Sequence, residues 1–105
     1  MKSHKYLVLL AALTVALPVM AAAPDAATTY KAKCAMCHGP DGAGQTATGK
    51  SMKVRDLRSA EVQKQSGKEL EAIITNGKGK MPAYKGKIAE AEIDALVKFI
   101  QSLKK

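Results

Sequence analysis

The chain has 105 residues, with 17 Lys and Arg against 9 Asp and Glu, two Cys, no Trp, one Phe and three Tyr. A chain this short holds one domain at most, which excludes a multi-domain enzyme with a large pocket. Domains of this size bury little surface and usually need a disulfide, a metal or another staple.

Lys2 and Lys5 give a positive start, and a run covering residues 7–17, apolar but for Thr14, follows before Pro18 breaks it. Val19-Met20-Ala21 then supplies small or tolerated residues just before a cut after Ala21, which completes the tripartite pattern of a secretory signal. A cut after Ala23 would set Pro24 beside the scissile bond. The run is about half the ~20 residues that span a bilayer, and no Cys follows it to carry a lipid. Residues 1–21 therefore read as a cleaved signal peptide and residues 22–105 as the mature domain. Export of this kind leads to the periplasm, where thiols tend to be oxidised.

The mature part holds 15 basic and 9 acidic residues, 14 Ala, and only 18 Val, Ile, Leu, Met, Phe and Tyr combined. That is a thin supply for a core. Its basic surface suits nucleic acid, anionic lipid or an acidic protein. Export argues against nucleic acid, and so does the lack of aromatic side chains beside the cations to stack on bases.

Residues 26–33 are free of helix breakers and predict a short helix with Asp25 as its N-cap. Residues 39–44 (Gly-Pro-Asp-Gly-Ala-Gly) are turn chemistry. Residues 45–57 show no clean period and read as an irregular loop, long enough to suggest that it wraps something. A helical turn is expected over 60–64. Ser66 and Glu69 fit a capping box, Leu70, Ile73 and Ile74 follow at helical spacing, and Asn76-Gly77 closes that helix. The last helix begins near Ala89. Glu90, Glu92 and Asp94 sit where the helix dipole favours acids, and Lys98, Lys104 and Lys105 lie toward its other end. Ile93, Leu96, Val97, Ile100 and Leu103 form its apolar face. No stretch alternates convincingly, so the domain reads as all-α, with three or four helices joined by loops.

Cys34-Ala35-Met36-Cys37-His38 is a C-x-x-C-H element, the pattern of c-type haem attachment. Two thiols three residues apart on a helical turn can reach the two vinyl groups on one side of a porphyrin, and the next residue offers an imidazole to the iron. A plain disulfide between Cys34 and Cys37 is a rival that export permits. A thioredoxin-like pair needs a βαβ unit that is lacking here. Zinc needs four ligands, and the other His, His4, lies in the signal.

A Met thioether suits the opposite face of the iron. Met20 leaves with the signal, and Met36 is too close in sequence to reach that face. Met52, in the irregular loop, is a rival. Met81, 43 residues after His38, lies between Gly79 and Pro82 in a loop with no helical face to fill, and is favoured. Residues 44–51 match G-x-x-x-x-G-K-[ST] letter for letter, but no strand precedes them, so a phosphate-binding loop is not expected.

With these residues in view, the mature chain resembles the class I c-type cytochromes, especially the short bacterial and cytochrome c6-like members. Tyr30 stands four residues before Cys34, with Ala26 one turn earlier, as in that family's N-terminal helix. Cys34, Cys37 and His38 match its haem motif, and Met81-Pro82-Ala83-Tyr84 is similar to the segment that carries its distal ligand. Leu96 and Phe99 match positions where the C-terminal helix crosses the N-terminal one. The resemblance implies three to five helices wrapped around one covalently attached haem, with iron ligated by His38 and Met81. It also implies diffusible one-electron transfer without enzyme activity.

The expected partners are larger redox proteins with acidic docking surfaces, met by a monomer that does not span the membrane. Many members also carry a proline-bearing loop whose carbonyl accepts a hydrogen bond from the ligand His. No Pro lies between Pro40 and Pro82 here, so that acceptor is unassigned. Lys50, Lys53, Arg55 and Arg58 are candidates to meet the haem propionates, or a solvated basic loop. The alternative reading is a haem sensor or peroxidase-like protein with an open distal iron position.

Overall fold

The computed structural model describes residues 11–15 and 25–105. The expected cut after Ala21 and most of the signal lie outside the described residues. Among those described there are six helices and no strand: α1 (Ala26–Lys33), α2 (Ala35–His38), α3 (Ala47–Met52), α4 (Ala60–Gln63), α5 (Gly67–Asn76) and α6 (Glu90–Ser102). No helix among them is long and apolar enough to cross a membrane.

Local chemistry starts most of these elements. Asp25 accepts from the Thr28 amide at 2.8 Å, satisfying one of the free donors at the start of α1. Ser66 and Glu69 form the full capping box of α5, at 3.1 Å in both directions. α6 begins after Ala89 without a side-chain cap, and Glu90 and Glu92 in its first turn supply negative charge instead. Its last turn holds no basic residue: Lys98 precedes that turn, and Lys104 and Lys105 follow the helix.

One expectation is corrected. Part of the stretch read as an irregular loop is α3. Thr46 accepts from the Gly49 amide at 2.9 Å to start it. Lys53, at φ 54, ends it in a left-handed conformation and donates to the Gly49 and Lys50 carbonyls. Two caps on a six-residue helix leave no room for an apolar period to show.

α6 packs on both α1 and α5. Leu96, completely buried, is the centre of a core that includes Tyr30, Val62, Leu70, Ile74, Ile93, Val97 and Ile100. Tyr30 and Phe99 meet across the α1–α6 crossing with ring centroids 4.9 Å apart, tilted by 44°. Gln63 fastens α4 to this frame. Its Nε2 donates to the Leu57 carbonyl at 2.7 Å and to the Ile100 carbonyl at 2.9 Å.

Candidate functional site

The first wall of the site grows directly out of α1. The Cys34 amide donates back to the Tyr30 carbonyl at 2.8 Å, so α1 ends on the cysteine. The chain then turns again at once: the Cys37 and His38 amides both donate to the Cys34 carbonyl, at 3.2 and 3.0 Å. This single turn brings both thiols and the imidazole to one side. Gly39, with φ 80 and ψ 158, lets the chain leave α2. Tyr30 Oη donates to the Gly39 carbonyl at 2.6 Å in a buried bond, which locks the residue after His38 onto α1. That hydroxyl was not legible in the sequence, where Tyr30 read only as a packed aromatic.

α3 backs this wall. Thr46 Oγ1 donates to the Met36 carbonyl at 2.7 Å. Gly49 presses so close that a Cβ there would run into the Cys37 carbonyl. The phosphate-loop look-alike is thus a packing device, with a turn before it rather than a strand. The second wall is the loop after α5. Lys78 and Met81 exchange backbone hydrogen bonds, at 3.2 and 2.9 Å, and close a tight turn that carries Met81.

Between the walls lies a cavity of about 240 Å³, lined by Cys34, Cys37, His38 and Met81 together. Its floor is apolar, built from Leu57, Val62, Leu70, Ile73, Ile74, Leu96 and Ile100. Met52, at the end of α3, also lines it, whereas Met36 is exposed outside it. Of the four basic residues considered for propionates, Lys53 and Arg55 line the cavity. Lys50 and Arg58 do not. Arg58 is taken by Asp56, with Nε at 3.0 Å and Nη2 at 3.1 Å, and that bonding holds the Asp56 carboxyl down at about 2. Lys33, Lys78 and Lys80 also reach the cavity, unforeseen, so every charged side chain on its lining is cationic.

Burial sets the state of the reactive groups. It pushes the Cys34 thiol up to about 11, with a further push from Cys37, and both thiols are free. It also holds the His38 imidazole below the ordinary histidine value, in the neutral form that binds metal. His38 Nδ1 is fully buried and has no hydrogen-bond partner among the described residues, so none of them takes the place of the proline-loop carbonyl that the resemblance implies. Two thiols, a neutral imidazole and a thioether around an apolar cavity fit a porphyrin with its iron. No group of three or more His, Cys, Asp or Glu among the described residues could hold a bare metal ion instead.

Comparison with known proteins agrees with this geometry. Residues 21–100 match the family described as cytochrome C oxidase, cbb3-type, subunit III. The chain is 36% identical over 75 residues to cytochrome c6 of Leptolyngbya boryana, a match covering 68% of this chain and 80% of that one. It is 37% identical over 79 residues to cytochrome c6 of Tetradesmus obliquus, covering 69% and 80%. The solved structure of the KustC0563 c-type cytochrome superposes with a TM-score of 0.72 at 32% identity, covering 77% of this chain and 99% of that one.

An all-helical domain whose C-x-x-C-H turn faces an apolar cavity defines a small haem protein of the covalent kind. The chain belongs to the c-type cytochromes and is similar to cytochrome c6. Membership implies a covalently bound haem c with its iron and supports a role in electron transfer.

Proposed function

We propose that this chain is a periplasmic one-electron carrier that makes and breaks no substrate bond. Cys34 and Cys37 hold one haem c through thioethers, and His38 and Met81 ligate its iron. When bound, the group supplies a single iron that takes up and gives back one electron. The chain's own residues orient and shield it. The C-x-x-C-H turn fixes one side, and the apolar floor keeps water from the buried face. The turn at Lys78–Met81 presents a soft sulfur ligand of the kind that raises the potential. The observation that carries this reading is that both thiols, His38 and Met81 line one cavity.

Residues 1–21 act as the signal that exports the chain, and residues 22–105 are the working domain, a monomer in solution. The cationic rim of Lys33, Lys53, Arg55, Lys78 and Lys80 supports docking of the cavity mouth against an acidic surface of a larger redox protein. Met81's place on a hydrogen-bonded turn favours a filled distal position over the open iron of a sensor or peroxidase.

The test is an absorption spectrum of the holoprotein. The weak red band of a ferric iron–Met sulfur bond is expected in the wild type and absent in Met81→Ala. A wild type that lacks the band and binds carbon monoxide readily would overturn the carrier reading. The band surviving in Met81→Ala, and vanishing in Met52→Ala, would move the ligand to Met52.

A further inference from the structure

Met81 sits on a turn whose shape depends on a residue four positions earlier. α5 ends at Asn76, and the Gly77 amide donates to the Ile73 carbonyl at 2.8 Å. Gly77 then takes φ 76 and ψ 170, a corner of backbone space open essentially to glycine alone. From there the chain folds back on itself. Beyond the Lys78–Met81 pair, the Tyr84 amide donates to the Ile74 carbonyl at 3.0 Å and the Lys85 amide to the Thr75 carbonyl at 3.1 Å. The segment after Met81 is thereby tied to the last turn of α5, with Gly77 beneath it.

The fit there is close. A Cβ on Gly77 would stand 2.7 Å from the Met81 carbonyl oxygen, 2.9 Å from the Ala83 nitrogen and 3.0 Å from the Pro82 carbonyl carbon. All three are backbone atoms, and hydrogen bonds on both sides hold the segment that contains them. None is a side-chain tip that could swing away. Gly79, at the tip of the same turn, differs: it too has positive φ, +56, but nothing lies within 4 Å of its Cβ position. One turn therefore holds two glycines with positive φ, only one of which is pressed against the Met81 backbone.

We propose that Gly77 is the positioning residue for Met81. Its lack of a side chain sets how deeply the Met81 backbone seats against α5, and so how firmly the thioether is held at the cavity. This rests on Met81 being the iron ligand.

The test compares Gly77→Ala, Gly79→Ala and Met81→Ala as holoproteins. The readouts are the red ferric iron–sulfur band and the affinity for added imidazole, which competes for the distal position. Gly77→Ala is expected to lose most of the band and bind imidazole on the order of tenfold more tightly, about 1.4 kcal/mol. Gly79→Ala is expected to keep the band and stay within about twofold of wild type, below ~0.5 kcal/mol. A Gly77→Ala protein with the wild-type band and imidazole affinity overturns the proposal, as does a Gly79→Ala protein that shifts equally.

Met81→Ala separates the two failures. If it keeps the band, the ligand reading falls and this proposal falls with it. If it loses the band while Gly77→Ala does not, only the positioning role fails. Should Gly77→Ala not accumulate with haem, amide exchange in the wild-type holoprotein decides. The Met81 amide is expected to be protected about as well as that of Gly77. Free exchange at Met81 would overturn the proposal.

Discussion

Replacing both cysteines proposed to attach the haem, Cys34→Ala with Cys37→Ala, takes away the thioether links of that proposal and leaves the helices to close over the cavity unaided. Protein interiors are close-packed, and unfilled core volume costs stability. At about 24 cal/mol per Å³, the cavity of about 240 Å³ represents about 6 kcal/mol. The open mouth makes that an upper bound. Domains are stable by ~5–15 kcal/mol in all, and one this small sits toward the lower end. The haem-free double variant therefore loses a large share of its stability. Guanidinium titration followed by near- and far-ultraviolet circular dichroism measures it, with absence of haem checked by absorption. The expected result is residual helix, a lost near-ultraviolet signal and no cooperative transition. Sharp unfolding at a midpoint close to that of the holoprotein would show that the eighteen larger apolar side chains suffice, and would refute the reasoning.

Tyr30→Phe strips the buried partner from the Gly39 carbonyl and is expected to cost about 1–3 kcal/mol. At about 4–8 °C per kcal/mol this is plain in a thermal melt, whereas Tyr84→Phe, whose bond to the Lys33 carbonyl is exposed, moves the midpoint far less. Burial raises the Tyr30 phenol from 10.0 to about 12, so the folded state resists its ionisation while the unfolded state does not. The stability it protects is complete below pH 10 and is lost as pH climbs from there toward 12. Tyr30→Phe should flatten that alkaline loss in melts taken across the range. Gly49→Ala puts a methyl against the Cys37 and Gly44 carbonyls and is expected to cost about 1–3 kcal/mol. An unchanged melting temperature would mean that α3 shifts freely off the cysteine turn.

What the sequence made legible was local. Asp25, the Ser66–Glu69 box and Gly77 each announce a helix end through a bond reaching only a few residues, and α6 shows its buried face by period. The C-x-x-C-H turn was legible because its geometry is contained in five residues. What stayed hidden depends on contacts between distant segments. Gln63 reads as an ordinary polar residue until its amide is seen reaching Ile100. Lys33 ends α1 while Lys78 and Lys80 lie in the loop after α5, and only the fold brings the three to one rim. α3 was missed because Thr46 and Lys53 define it rather than any apolar stripe. Met52 and Met81 both reach the cavity, and loop context favoured Met81 without knowing the turn that seats it.

The meeting of Tyr30 with Phe99 has a consequence for the order of events in the chain's life. Bringing these residues together closes a loop spanning most of the domain, a costly non-local step that needs α6 to be already made. A chain whose α6 has not yet formed has not reached that point. Once α1 and α6 have crossed, Cys34 is half-buried and its thiol stays protonated up to about 11, which leaves little of the nucleophilic thiolate. On the proposed attachment at Cys34 and Cys37, coupling is expected before α1 and α6 cross. A chain truncated before α6, which cannot form the Tyr30–Phe99 crossing, is expected to couple at least as fast as the full chain, and slower coupling would contradict this ordering.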